Sequence, residues 1–218
     1  MSKIGVFDSG VGGLSVAEAI QEALPDDIVV FRNDKEHVPY GDKVPQQVLE
    51  YVVPILTSLV DEGCKVIVIA CNTVTTNHIE KLRGLIPVPL VGMEPMVKPA
   101  SEITKSSIIA VCATPATLAS KRYMWLKDTY ARRVKVIEPD CRNWAAMIER
   151  DQINEQSIRG QIDGVCAQGA DVIVLGCTHY HWIKELIQDI AANRAVVVQP
   201  EEQVIEQLKR VLAKTRAR

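Results

Sequence analysis

The chain is predicted to be an α/β protein made of two pseudo-symmetric α/β domains, each with a mainly parallel central sheet, with the active site in the cleft between them. Three observations predict this. Val66-Ile67-Val68-Ile69-Ala70-Cys71-Asn72-Thr73 is answered 106 residues later by Val172-Ile173-Val174-Leu175-Gly176-Cys177-Thr178-His179. Each segment is a Val/Ile-rich run, then a small residue, a cysteine and polar residues. Such a run reads as a strand buried on both faces, as in parallel sheets. The correspondence is also wider: Ile4-Gly5-Val6 aligns with Ile109-Ala110-Val111, and Phe31 with Val136, both at an offset of 105. A nearly constant offset is the mark of a duplicated unit. Finally, short apolar runs alternate with helical patterns along the whole chain, which implies parallel strands with right-handed crossovers.

The elements follow in order. Residues 4–7 form a strand, Asp8-Ser9-Gly10-Val11-Gly12-Gly13 a turn, and a helix runs to about Leu24. A second strand covers 28–31. A long helix spans 44–62, with apolar positions at Val48, Val52, Ile55, Leu56 and Leu59. Pro45 suits its start, Pro54 is a kink candidate, and Gly63 resembles its C-cap. Strand 66–69, helix 77–85, a short strand ending at Gly92 and a helix at 96–104 come next. The order then repeats: strand 108–112, helix 117–130, strand 134–137, helices 145–150 and 154–168, strand 172–175, helix 181–192, strand 195–198 and helix 204–213. The first domain is expected to comprise 1–95 plus 199–218, and the second 96–198.

Composition excludes several classes. The 218 residues are 47% hydrophobic and 24% charged, with net charge −2, which are ordinary globular values. No basic stripe suggests a nucleic-acid partner. No leader or membrane-length run is read, so no membrane partner and a cytoplasmic location are expected. Six cysteines without a C-x-x-C pair point neither to disulfides nor to metal.

Cys71 and Cys177 are the leading functional candidates. Each lies just past the carboxyl end of a central strand, where open α/β sheets form their ligand crevices. The other four cysteines lack this context and are assigned to packing or surface. Asp8 and Ser9 end the first strand, either as helix caps or as a carboxylate and hydroxyl at the cleft. Gly10-Val11-Gly12-Gly13 lacks the spacing of a dinucleotide or P-loop motif. It is expected to bring backbone close to a small anionic substrate. His179, two residues beyond Cys177, can tune that thiol or relay its proton.

At these residues the chain resembles the glutamate racemases of the cofactor-independent aspartate/glutamate racemase superfamily. The resemblance is carried by Ile4-Gly5-Val6-Phe7-Asp8-Ser9-Gly10-Val11-Gly12-Gly13-Leu14, Val38-Pro39-Tyr40-Gly41, Gly92-Met93-Glu94-Pro95 and Ala70-Cys71-Asn72-Thr73. Ala113-Thr114-Pro115-Ala116-Thr117-Leu118 and Gly176-Cys177-Thr178-His179-Tyr180 complete it. It implies that Cys71 and Cys177 are the catalytic bases, that Asp8 assists Cys71, and that His179 and Glu149 support Cys177. It also implies that Asp8, Ser9, Tyr40, Gly41, Asn72, Thr73, Thr114, Thr117, Thr178 and His179 hold the substrate. No cofactor, a glutamate substrate, D-glutamate supply for peptidoglycan and a homodimer are implied as well. The chain departs from the family pattern at residues 32–37, where only Asp34 is kept. It departs again at His181-Trp182, where proline is common, and at Gln199-Pro200-Glu201, where an Asp-Ser/Thr-Gly turn is expected.

Racemisation needs a thiolate on one face of the α-carbon and a thiol on the other. A free cysteine is only a few per cent thiolate at pH 7. Helix N-termini after both strands, with His179, are expected to lower the thiol pKa values. Other readings are an aspartate or hydantoin racemase, and a non-catalytic small-anion binding protein.

Overall fold

The computed structural model describes residues 1–216. Residues 217 and 218, the end of the segment 199–218 assigned above to the first domain, lie outside the described residues.

The first half contains β1 (Lys3–Asp8), α1 (Gly13–Ala23), β2 (Ile28–Asn33), a 3-10 turn (Tyr40–Asp42), α2 (Pro45–Asp61), β3 (Val66–Ile69), α3 (Asn72–Leu85) and β4 (Leu90–Gly92). The second contains α4 (Val97–Ile103), β5 (Ile108–Ala113), α5 (Pro115–Leu118), α6 (Lys121–Tyr130), β6 (Lys135–Ile137), α7 (Trp144–Glu149) and α8 (Glu155–Ala167). It continues with β7 (Val172–Gly176), a 3-10 helix (Thr178–Ile183), α9 (Lys184–Ala191), a 3-10 turn (Ala192–Arg194) and β8 (Val196–Val198). The closing helix is α10 (Glu201–Arg216).

Two all-parallel four-stranded sheets result, ordered β2-β1-β3-β4 and β6-β5-β7-β8. Their registers reproduce the repeat: Ile4 pairs with Val66, and Ile109 pairs with Val172. One alignment is corrected. Val29 pairs with Ile4 as Val136 pairs with Ile109, so Val136 corresponds to Val29 and not to Phe31. The slip of two residues keeps each side chain on the same face, so hydrophobic patterning alone does not detect it.

Both faces of each sheet are covered, which is why β3 and β7 are apolar throughout. On the first sheet, Leu49, Val52, Leu56 and Leu59 of α2 and Leu82 of α3 pack on Phe7, Ile67 and Ile69. Val16 and Ile20 of α1, with Val204, Leu208 and Leu212 of α10, pack on Ile4, Val6, Val66 and Val68. The second sheet is covered by α7, α8 and α9 on one face and by α4 and α6 on the other.

Several boundaries differ from expectation. α3 starts at Asn72, five residues earlier than its amphipathic pattern. Its first turns are buried on all sides (Asn72, Thr73, Thr75, Thr76), so no 3.6 periodicity is visible there. Side-chain bonds from Thr76 Oγ1 to the Asn72 carbonyl and from Asn77 Nδ2 to the Thr73 carbonyl brace this stretch. The expected helix 117–130 is broken. Ser120 accepts the Tyr123 N–H at 3.1 Å and starts a new helix there. The expected helix 181–192 is a 3-10 helix followed by α9. Pro54 lies inside an unbroken α2. Gly63 ends its turn at φ +89°, the left-handed conformation that glycine tolerates.

Candidate active site between the two sheets

The carboxyl ends of β1, β3 and β7 deliver their following loops to one buried place. Cys71 is the N-cap residue of α3 and Cys177 immediately precedes the 3-10 helix Thr178–Ile183. Cys71 and Cys177 line one small buried cavity, together with Ser9, Tyr40, Gly41, Asn72, Thr73, Thr114, Thr178 and His179. Its volume, about 10 Å³, is room for about one water molecule. Of the residues singled out from the sequence, Asp8, Thr117 and Glu149 stand one hydrogen bond behind this wall rather than in it.

Asp8 is fully buried. Its Oδ2 accepts the backbone N–H groups of Gly10 (3.2 Å) and Gly13 (2.9 Å), and its Oδ1 accepts the Thr178 hydroxyl at 3.1 Å. The carboxylate thus anchors the start of α1 and reaches across to the second sheet's loop. Thr73 Oγ1 makes a second bridge, 2.9 Å from Thr114 Oγ1 and 3.3 Å from Thr117 Oγ1.

On one wall the Cys71 thiol donates to Ser9 Oγ at 3.5 Å. Burial first, and then the Asp8 carboxylate, push this thiol up to about 12, against the Ser9 hydroxyl and the Val74 N–H. This corrects the expectation of a lowered value: in the closed site, desolvation outweighs the helix N-terminus. Tyr40 donates to Asp34 Oδ2 at 2.6 Å. Burial and that carboxylate hold its phenol above the ordinary range.

On the other wall Cys177 Sγ lies 3.6 Å from His179 Nδ1, and His179 Nε2 lies 2.5 Å from Glu149 Oε1. Burial works to lower the His179 pKa. The bonds to Cys177 and Glu149, with the nearby charges, overcome it and hold the imidazole well above its ordinary value. Burial likewise works to raise Glu149. His179 and the Val11 N–H, which donates to Oε1 at 2.7 Å, bring it below the usual carboxylate value. A protonated His179 donates from both ring nitrogens, one to sulfur and one to carboxylate.

The glycine-rich turn works differently from expectation. None of residues 10–13 lines the cavity. A Cβ on Gly10 would collide with Glu149 Oε1, and one on Gly12 would stand 2.5 Å from the His179 backbone nitrogen. These glycines let the β1–α1 loop press against the second sheet's catalytic candidates instead of against a ligand.

Asn72 is 2% exposed, and neither of its amide atoms has a hydrogen-bond partner among the described residues. A buried amide left unpaired is costly, so such a group marks a place where a polar ligand completes the bonding. Sequence reading did not single out Pro39 or Ala145, which also line the cavity, or Asp34 and Val11, which support it. Asp34 carried a signal, as the one residue of 32–37 that keeps the family pattern. A backbone donor such as Val11 carries none.

Residues 5–208 match the Asp/Glu/Hydantoin racemase family. The chain is 39% identical over 215 residues to a glutamate racemase of Stutzerimonas stutzeri, spanning 96% of this chain and 81% of that one. Among solved structures, Escherichia coli glutamate racemase in complex with L-glutamate and the activator UDP-MurNAc-ala superposes with a TM-score of 0.83 at 28% identity, covering 97% of this chain and 82% of that one. Glutamate racemase of Francisella tularensis in complex with D-glutamate gives 0.82 at 26%, covering 99% and 82%. The chain belongs to the Asp/Glu/hydantoin racemase family and is an isomerase of the racemase type.

Proposed function

We propose that this protein interconverts L- and D-glutamate without a cofactor, using Cys71 and Cys177 as the two proton-transfer groups. The observation that carries the reading is two thiols at equivalent strand ends on the walls of one buried cavity, beside the unpaired Asn72 amide. One sulfur, as thiolate, takes the α-proton from one face, while the other, as thiol, delivers a proton to the opposite face. The pushed-up Cys71 suits the thiol role in the resting site. The protonated His179 supplies the positive charge that a thiolate base at Cys177 needs. Negative charge developing on the α-carbon spreads into the substrate carboxylate, where the Asn72 amide and the Thr73 hydroxyl are the donors, with Thr178 held at the cavity by its bond to Asp8. Ser9, Tyr40, Gly41 and Thr114 complete the substrate shell, while Asp8 acts through Thr178, Thr117 through Thr73 and Thr114, and Glu149 through His179.

The glutamate assignment is supported by relatives of that name at 39% identity and by relatives solved with L- and D-glutamate. D-glutamate for peptidoglycan, a cytoplasmic location and a homodimer extend the same reading. So does a division into two domains, 1–95 with 199–218 and 96–198. The test is Cys71→Ala and Cys177→Ala, each assayed for racemisation and for exchange of the α-proton with deuterated solvent. Each variant is expected to lose racemisation by about 10³-fold. A variant racemising glutamate at the parent rate would overturn the two-thiol scheme. A parent protein that turns over aspartate but not glutamate would move the substrate assignment and leave the chemistry standing.

A further inference from the structure

Two of the segments that depart from the family pattern, His181-Trp182 and Gln199-Pro200-Glu201, meet in space. Glu201 opens α10. Its Oε1 lies 3.1 Å from His181 Nδ1 and 3.2 Å from the hydroxyl of Ser15, on α1, whose proton it shares with the Gly12 carbonyl, also at 3.2 Å. Its Oε2 accepts Gln199 Nε2 at 2.6 Å. His181 belongs to the 3-10 helix that also carries Thr178 and His179. Its side chain is 2% exposed, and that of Glu201 is 18% exposed. His181 Nε2 has no partner among the described residues, so the bond through Nδ1 is the polar contact that holds the ring there. Neither His181 nor Glu201 lines the cavity.

We propose that the His181–Glu201–Ser15 cluster is an interlobe tie. It positions the Cys177-bearing turn against α1 and holds the site closed. The cavity has room for about one water, so an amino acid is admitted only when the walls separate. The apparent dissociation constant is the intrinsic one divided by the fraction of molecules in the competent, wider form. Weakening the tie raises that fraction and lowers the apparent KM. The kinetic part rests on the racemase reading, while the opening itself is measurable without turnover.

The test compares the parent with His181→Ala, with His181→Asn, whose amide nitrogen replaces Nδ1, and with Ser15→Ala. Alkylation of Cys71 and Cys177 by iodoacetamide is followed by peptide mass spectrometry without substrate, and steady-state kinetics are measured on glutamate. His181→Ala is expected to be alkylated about tenfold faster, equivalent to about 1.4 kcal/mol. Its KM falls several-fold, while kcat changes less than about threefold. Ser15→Ala moves the same way by less, and His181→Asn stays within about twofold of the parent. Parent-like alkylation in both His181→Ala and Ser15→Ala overturns the tie. So does a raised KM at unchanged alkylation. If circular dichroism shows His181→Ala unfolded, Ser15→Ala decides alone. If the variants open but the parent does not racemise glutamate, the tie stands and the racemase reading falls.

Discussion

At the scale of single residues, the site depends on charges and contacts that cross between the sheets. Cys177 and then Glu149 hold the His179 pKa up against burial, so Glu149→Gln should lower kcat by about 10²-fold. It should also move the basic limb of the pH–rate profile to lower pH, because His179 then loses its proton sooner. The stability effects have opposite signs. His179, raised in the folded state, contributes stability that is fully present below its ordinary value of about 6.5 and is lost as pH rises through the folded value. Glu149, lowered in the folded state, contributes stability present above its ordinary value and lost as pH falls through the folded one. Urea titrations of parent and Glu149→Gln across pH measure both. Gly12→Ala tests the close approach of the loops. Its Cβ meets backbone, which does not yield like a flexible side chain. A displacement of about 1 Å should cost about 10²-fold in kcat while circular dichroism stays parent-like.

At the scale of elements, α10 links the end of the chain to its beginning. Its Val204, Leu208 and Leu212 are buried against β1, β3 and α1. Near its end Arg216 donates to Asp27 at 2.5 and 2.6 Å, while Asp27 also accepts the Ser2 N–H at 2.7 Å. Burial works to raise Asp27, but the Ser2 N–H and Arg216 hold it below the ordinary value. The apolar contribution dominates here, because half-exposed ion pairs contribute about 1 kcal/mol or less. Leu208→Ala should therefore destabilise by about 2–5 kcal/mol in urea melts, through lost burial and the cavity left behind. α3 shows the other use of an element. Its first turn carries Asn72 and Thr73 into the site, while Leu82 near its end packs into the core.

At the scale of the whole molecule, two copies of one parallel α/β plan face each other through their strand ends. The residues between them are polar, hydrogen-bonded across the gap and closed around a space too small for an amino acid. Substrate binding is thus expected to require separation of the walls. Glutamate of either hand at 100 times its Kd should stabilise the fold by about 2.7 kcal/mol. That corresponds to a Tm rise of about 5–10 °C for a chain of this size. Differential scanning calorimetry checks this, and a shift for one enantiomer alone would contradict a site that holds both.

Amino-acid order by itself determined the α/β plan, the duplication and the positions of both thiols. Hydrophobic runs, their spacing and the polar residues after Cys71 and Cys177 are local properties, readable wherever they stand in the chain. Register at the sheet edge was misread at Phe31, because a shift of two residues preserves every face. The role of the glycine turn, the support from Val11 and Asp34, and the meeting of His181 with Glu201 were decided only in three dimensions. So was the direction of the Cys71 pKa. Each depends on groups far apart in sequence and on how completely the two sheets exclude water between them, and local patterning encodes neither.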